Sequence, residues 1–139
     1  MEHDRALGLL CLAKKGGNLQ LGEEGAGAAC RAGHARLLLL ASDAAGNTQR
    51  RAGSFSQGGK IPIRSLPYDK ETLGGAFGRA VCAIAALTDV SMALAFVKAL
   101  GQPEQDRQLL EELERRTERV RQRRKEEQAH RKNLRHGKK

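Results

Sequence analysis

The chain has 139 residues, with 25 Lys and Arg against 16 Asp and Glu, so its length bounds it to one domain with room for an appendage. Its net charge of +9 and pI near 10.0 favour a polyanionic partner, and its 40% hydrophobic content is enough for a modest core. Only four aromatics occur, Phe55, Tyr68, Phe77 and Phe96, which argues against modules that stack several bases on an aromatic sheet, and no apolar run of about 18 residues offers a membrane span.

In chain order, Asp4 is placed to cap a helix over Arg5 to Lys15, with Leu7, Leu10 and Cys11 on one face and Gly16-Gly17 as its stop. Leu19-Gln20-Leu21 reads as a short strand. A weak Ala- and Gly-rich helix follows from Glu23 to Ala32, ended by Gly33. Arg36 to Ala41 is a continuous apolar run, the pattern of a strand covered on both faces. Ser42-Asp43 then caps a helix carrying Asn47, Thr48, Arg50 and Arg51, which is expected to stop before Gly58-Gly59.

Ile61-Pro62-Ile63 reads as a brief strand, and its proline suggests an edge position. Asp69 caps a helix over Lys70 to Phe77, closed by Gly78, with Phe77 expected in the core. Val81 to Leu87 is the second buried strand, and Thr88-Asp89 caps a helix running to Leu100. Helices alternating with short apolar strands imply a three-layer α/β/α sandwich.

Composition shifts at Gly101-Gln102-Pro103-Glu104, which divides the chain into a domain at 1–101 and a basic tail at 102–139. The tail predicts a charged helix from Glu104 to about Leu134, docked at its start and frayed at its end. Leu109, Leu110, Leu113 and Val120 form a short stripe. Glu111–Arg115, Glu112–Arg116 and Glu127–Arg131 stand at ion-pair spacing. From Glu118 onward ten basic residues face three acids, so the tail reads either as an arm tracking phosphates or as a solvated extension.

Cys11, Cys30 and Cys82 form no C-x-x-C pair and the four histidines are scattered, so no metal site or other cofactor is expected, and the thiols read as reduced core residues. Asp43, Asp69 and Asp89 are accounted for as helix caps, no nucleotide-binding glycine fingerprint is present, and Ser42, His34 and Cys30 form no recognisable triad. An enzyme is not expected. The N-terminus lacks a basic n-region and its apolar stretch is short, which points to the cytoplasm.

Five motifs in order resemble the bacterial YlxQ-like members of the ribosomal protein L7Ae family over about residues 4–100. They are Leu9 to Leu19 with its Lys14-Lys15-Gly16-Gly17-Asn18 core, Leu21-Gly22-Glu23-Glu24, Arg31 to Ala44 with Asn47-Thr48, Ile61-Pro62-Ile63, and Leu73 to Arg79. The resemblance implies an α/β/α sandwich around a small four-stranded mixed sheet, with RNA, typically a kink-turn, bound at one end of it. Ribosome or translation-associated proteins would be further partners of such a ribonucleoprotein component, which is expected as a monomer. In the family's Gly-x-Asn-Glu-x-x-Lys pattern Gly22 matches the glycine, whereas Glu24, Gly25 and Ala28 stand at the asparagine, glutamate and lysine. Gly78-Arg79-Ala80 occupies the second RNA loop.

The expected RNA-contacting residues are therefore Lys14, Lys15, Gly16, Asn18, Gly22, Glu23, Glu24, Arg36, Gly78, Arg79 and Ala80. A phosphate between Lys14, Lys15 and the helix opening at Gly22 is one reading. The other is that both lysines only complement the end of their own helix. A protein-interaction module, docking through Leu109, Leu113 and Val120, is the rival function, and RNA binding by the tail alone is a third.

Overall fold

The computed structural model describes residues 4–137. Its elements are α1 (Arg5–Lys15), β1 (Leu19–Leu21), α2 (Gly22–Arg31), β2 (Leu37–Leu40), α3 (Gly46–Gly59), β3 (Ile63–Ser65), α4 (Lys70–Phe77), β4 (Ile84–Leu87), α5 (Val90–Ala99) and α6 (Arg107–Gly137). The sheet has the order β1-β4-β2-β3, with β2 and β3 parallel and the other pairs antiparallel. This is the mixed four-stranded sheet of a three-layer α/β/α sandwich, followed by a long charged helix.

Strand alternation builds the layers. In β2, Leu37 and Leu39 face one core while Leu38 and Leu40 face the other; in β4, Leu87 and Ala85 oppose Ala86 and Ile84 in the same way. The first core holds Leu10 of α1, Phe77 of α4, Phe96 of α5 and Leu113 of α6. The second is made of small groups, Ala26 and Ala29 of α2 and Ala52 of α3, closed by Ile61. Four consecutive leucines thus have two apolar destinations, which is why the run lacks polar interruption.

Several elements depart from expectation. Asp43 does not cap α3: its carboxylate accepts the Lys70 N–H at 2.9 Å, and α3 opens later, behind Ala45, without a side-chain cap. That helix also runs through Gly58 and Gly59 to a left-handed C-cap at Lys60. The third strand is Ile63–Ser65, because Ile61 is buried in the second core and Pro62 has no N–H to donate. Residues 78–83 are loop, with Val81 50% exposed, so β4 begins only at Ile84. Cys82 is buried but Cys11 and Cys30 are only half-buried.

The tail is bound to the domain more closely than its composition suggests. Leu113 and Thr117 are fully buried, and Leu109, Leu110 and Val120 pack beside them. The stripe offered above as a docking surface is therefore committed to the chain's own core. Thr117 fills its place in the stripe because its hydroxyl donates to the Leu113 carbonyl at 2.7 Å. Pro103 does not open the helix, which begins at Arg107 and continues unbroken to Gly137 instead of fraying. Arg115 and Arg116 both pair with Glu112, at 2.6 and 2.7 Å, and neither Glu111 nor the Glu127–Arg131 couple forms an ion pair among the described residues.

A buried ion pair locks the start of α6. Arg64, on edge strand β3, donates from Nε to Asp106 Oδ1 at 2.7 Å and from Nη2 to Asp106 Oδ2 at 3.0 Å. Gln102 Oε1 accepts a further bond from Nη2 at 3.1 Å, and Nη1 donates to the Ser65 carbonyl. Such a two-point guanidinium–carboxylate fork fixes direction as well as distance.

Candidate functional site

The sheet has two ends, and the residues expected at one site divide between them. Where β1 begins, Asn18 accepts from the Thr88 N–H at 2.9 Å and Arg36 donates its N–H to Leu87 at 2.7 Å. Lys14, Lys15, Gly16, Asn18 and Arg36 belong to this end. Where β1 finishes, Gly22 opens α2 beside the loop 78–80 that leads into β4. Gly22, Glu23, Glu24, Gly78, Arg79 and Ala80 belong there.

From Asn18 to Gly22 the extended backbone covers about 13 Å, at roughly 3.3 Å per residue. The lysines thus stand across the length of β1 from the α2 N-terminus, and one phosphate shared between them would have to span most of that distance. The two lysines are exposed in the last turn of α1, where they complement its C-terminus. Lys15 lines a separate groove with Arg5 and Leu12. Arg36 donates from Nη1 to the carbonyls of Gly33 and Ala35 at 2.9 and 3.2 Å, beyond the C-terminus of α2.

The Gly22 end carries the more complete constellation. Gly22 adopts φ +78°, and the Arg79 guanidinium lies 3.4 Å from where a Cβ on it would stand. A side chain here would be strained by the positive φ and would touch the arginine without clashing. Gly78, at φ +77°, ends α4 in the left-handed conformation, and the Arg79 N–H returns to the Gly74 carbonyl at 2.8 Å. Together Gly22, Glu23, Glu24, Gly25, Ala28 and Arg79 line an open groove of about 650 Å³. Beneath it the Cys82 thiol is pushed up by burial, opposed by the Gly22 N–H and the Arg79 charge.

The start of α3 adjoins this groove through Glu23. That carboxylate accepts from Arg51 Nε at 3.3 Å and from the Thr48 hydroxyl at 3.4 Å, joining the first turns of α2 and α3. A second groove continues past it along Asn47, Arg50 and Arg51, where Arg50 donates to the Asn47 side chain. Neither helix has a side-chain cap, so first-turn N–H groups of both are available to solvent or an anion. Glu23 and Glu24 offset the α2 dipole, whereas the first turn of α3 holds no acid.

Two of the local carboxylates are already engaged, Glu23 by Arg51 and Asp43 by the Lys70 N–H. Glu24 is exposed and has no ion-pair partner among the described residues. Arg50 and Arg79 are exposed and unopposed by an ion pair among those residues. Chemically this end offers guanidinium groups and helix N–H donors to an oxyanion. Arg50 and Arg51 are additions to the residues expected from the sequence, and Asn47 enters there only as part of a resemblance motif. The spacing of Asn47 to Arg50, three residues apart at a helix opening, was the available signal.

Among the described residues no group of three or more His, Cys, Asp or Glu could hold a metal ion, and no helix is long and apolar enough to cross a membrane. Phe77, next to the loop, is 4% exposed and belongs to the first core.

No family model matches the chain, and no curated protein matches it. Among solved structures, a protein of unknown function from Bacillus halodurans is 24% identical with a TM-score of 0.64, covering 72% of this chain and 100% of that one. The 15.5kD RNA binding protein of Giardia lamblia is 17% identical with a TM-score of 0.53, covering 68% of this chain and 81% of that one. Both likenesses place the α/β/α sandwich among known folds.

Proposed function

We propose that the chain is a non-catalytic RNA-binding protein, a YlxQ-like member of the ribosomal protein L7Ae family, that holds structured RNA chiefly by its phosphates. One observation carries the reading: Arg79, Arg50 and Arg51 converge on two adjacent helix N-termini without side-chain caps. The fold likeness to an RNA-binding protein supports it, as does the net charge of +9. The RNA belongs to the ribosome or another cytoplasmic ribonucleoprotein, and a monomer suffices to bind it.

Base recognition is reduced in this chain. Glu24, Gly25 and Ala28 stand where the family pattern has an amide, a carboxylate and a lysine. A carboxylate at Glu24 accepts from an exocyclic amine but repels phosphate, so affinity comes from the arginines and backbone N–H groups around it. Kink-turn and plain hairpin RNAs of equal length therefore bind with similar affinity.

The test is a fluorescence-anisotropy titration of both RNAs over a range of salt. Wild-type affinity falls steeply, linearly in log salt. Arg50→Gln/Arg79→Gln weakens binding about tenfold or more, since a charged hydrogen bond is worth ~1.5–3 kcal/mol. A flat salt dependence, or an affinity unmoved by the double substitution, overturns the assignment.

A further inference from the structure

A second basic groove lies at the opposite end of the sheet, between α6 and the chain leaving α2. Arg116, Arg119 and Arg123 of α6 line it together with Arg36, and its volume is about 370 Å³. The three α6 positions share one helical face by their spacing. That face is oriented by the neighbouring Leu113 and Thr117, which are fully buried.

Among the described residues no carboxylate lines the groove. Arg116 is held by Glu112 at 2.7 Å, but Arg119 and Arg123 form no ion pair or hydrogen bond among the described residues. Arg36 keeps Nε and Nη2 free of protein partners among those residues, since both of its bonds leave from Nη1. The floor is apolar, made by Ile61, Val90 and Val120. Guanidinium groups gathered over such a floor repel one another, and an anion between them relieves that repulsion.

The groove is connected to the Gly22 end. Gln20 and Ala28 line both the Arg79 groove and a middle groove along α2, and Arg36 lines both that middle groove and the one under α6. The three form one track across the molecule. A small ion would need one station; a track with cationic groups at both ends fits a strand bearing phosphates in series. On the same face of α6 the next turn carries Glu126 and Glu127, so the basic row closes at Arg123.

We infer that an RNA strand leaving the Gly22 end follows α2 and is gripped by phosphate contacts to Arg36, Arg116, Arg119 and Arg123, making α6 part of the interface. This extension rests on the RNA-binding reading above. It assigns the tail a defined contact in place of diffuse attraction.

The experiment uses the full chain and a labelled RNA hairpin with a single-stranded extension. Cys30, which is half-buried in the groove wall, serves as reporter and the half-buried Cys11 on α1 as control. Arg119→Gln/Arg123→Gln should weaken binding and lower the slope of log K against log salt by about 1.4, two single-strand contacts at ~0.7 each. RNA should protect Cys30 from alkylation in the wild type and not in this variant, with Cys11 unchanged in both. Arg124→Gln/Lys125→Gln removes the same charge outside the groove and should retain Cys30 protection.

If Arg119→Gln/Arg123→Gln binds as wild type while Arg50→Gln/Arg79→Gln is weakened, the groove is not used and the RNA-binding reading stands. Equal losses from the two α6 pairs, without Cys30 protection, also overturn the inference. A wild type that binds no RNA defeats both.

Discussion

Asp106→Ala should lower the free energy of unfolding by about 3–5 kcal/mol, the range for removing one partner of a buried ion pair. The Arg64 and Asp106 side chains are only 9% and 4% exposed, so the orphaned guanidinium would retain Gln102 and the Ser65 carbonyl but no counter-charge. The loss comes from that desolvated charge more than from the bond itself. Arg64→Met/Asp106→Leu, which removes both charges and keeps bulk, should recover most of the stability. Urea denaturation followed by circular dichroism checks both, and a loss below about 1 kcal/mol for Asp106→Ala would show the pair to be solvent-screened. If α6 grips RNA as proposed, the position also bears on that binding, because the same pair holds the start of the helix that carries Arg116, Arg119 and Arg123.

Gly74→Ala should be the most damaging change of a single hydrogen to a methyl group. A Cβ at Gly74 would stand 2.7 Å from Val81 Cα and 2.8 Å from the Ala80 carbonyl carbon and oxygen. These are backbone atoms and have no rotamer by which to withdraw, so α4 and the 78–83 loop must separate. Overpacking of this kind costs about 1–3 kcal/mol. The loop that moves carries Arg79, so under the proposed function RNA affinity should fall with stability. Gly75→Ala is the matched control: a Cβ there meets nothing within 4 Å, and alanine is the better helix former by roughly 1 kcal/mol. Thermal melting and anisotropy on the two variants should therefore move in opposite directions for stability, with affinity lost only in Gly74→Ala.

Local signals carried most of the fold. Asp4, Asp69 and Asp89 each cap a helix by accepting the N–H three residues on, from Leu7, Thr72 and Met92. Asp43 has the same local appearance but a partner 27 residues away, and nothing in its neighbours distinguishes the two cases. The Arg64–Asp106 pair spans 42 residues and has no periodicity to betray it. Boundaries of β3 and β4 shifted for a similar reason: apolar runs announce burial, and Ile61 and Cys82 are buried without belonging to a strand.

The site was half legible. Gly22 and Arg79 came from ordered motifs far apart in sequence, and the structure brings them to the same groove. Lys14 and Lys15 were grouped with Gly22 because they are close in the chain, but a three-residue strand carries them to the other end of the sheet. The arginines of α3 and α6 were visible only as charge. The roles proposed for them depend on Glu23 joining α2 to α3 and on Leu113 setting the rotation of α6, which are tertiary facts.

Residues 121–134 of α6 are exposed throughout, a rod of about 20 Å at roughly 1.5 Å per residue. A peptide of that length is a marginal helix on its own, because the costly step is nucleating the first turn. Here docking of the preceding turns supplies the nucleus, and every later residue only propagates it. The rod is thus helical by inheritance: its coil transition is governed at the anchor, and a domain that loosens its hold on Leu113 would erase secondary structure far from where the damage was done.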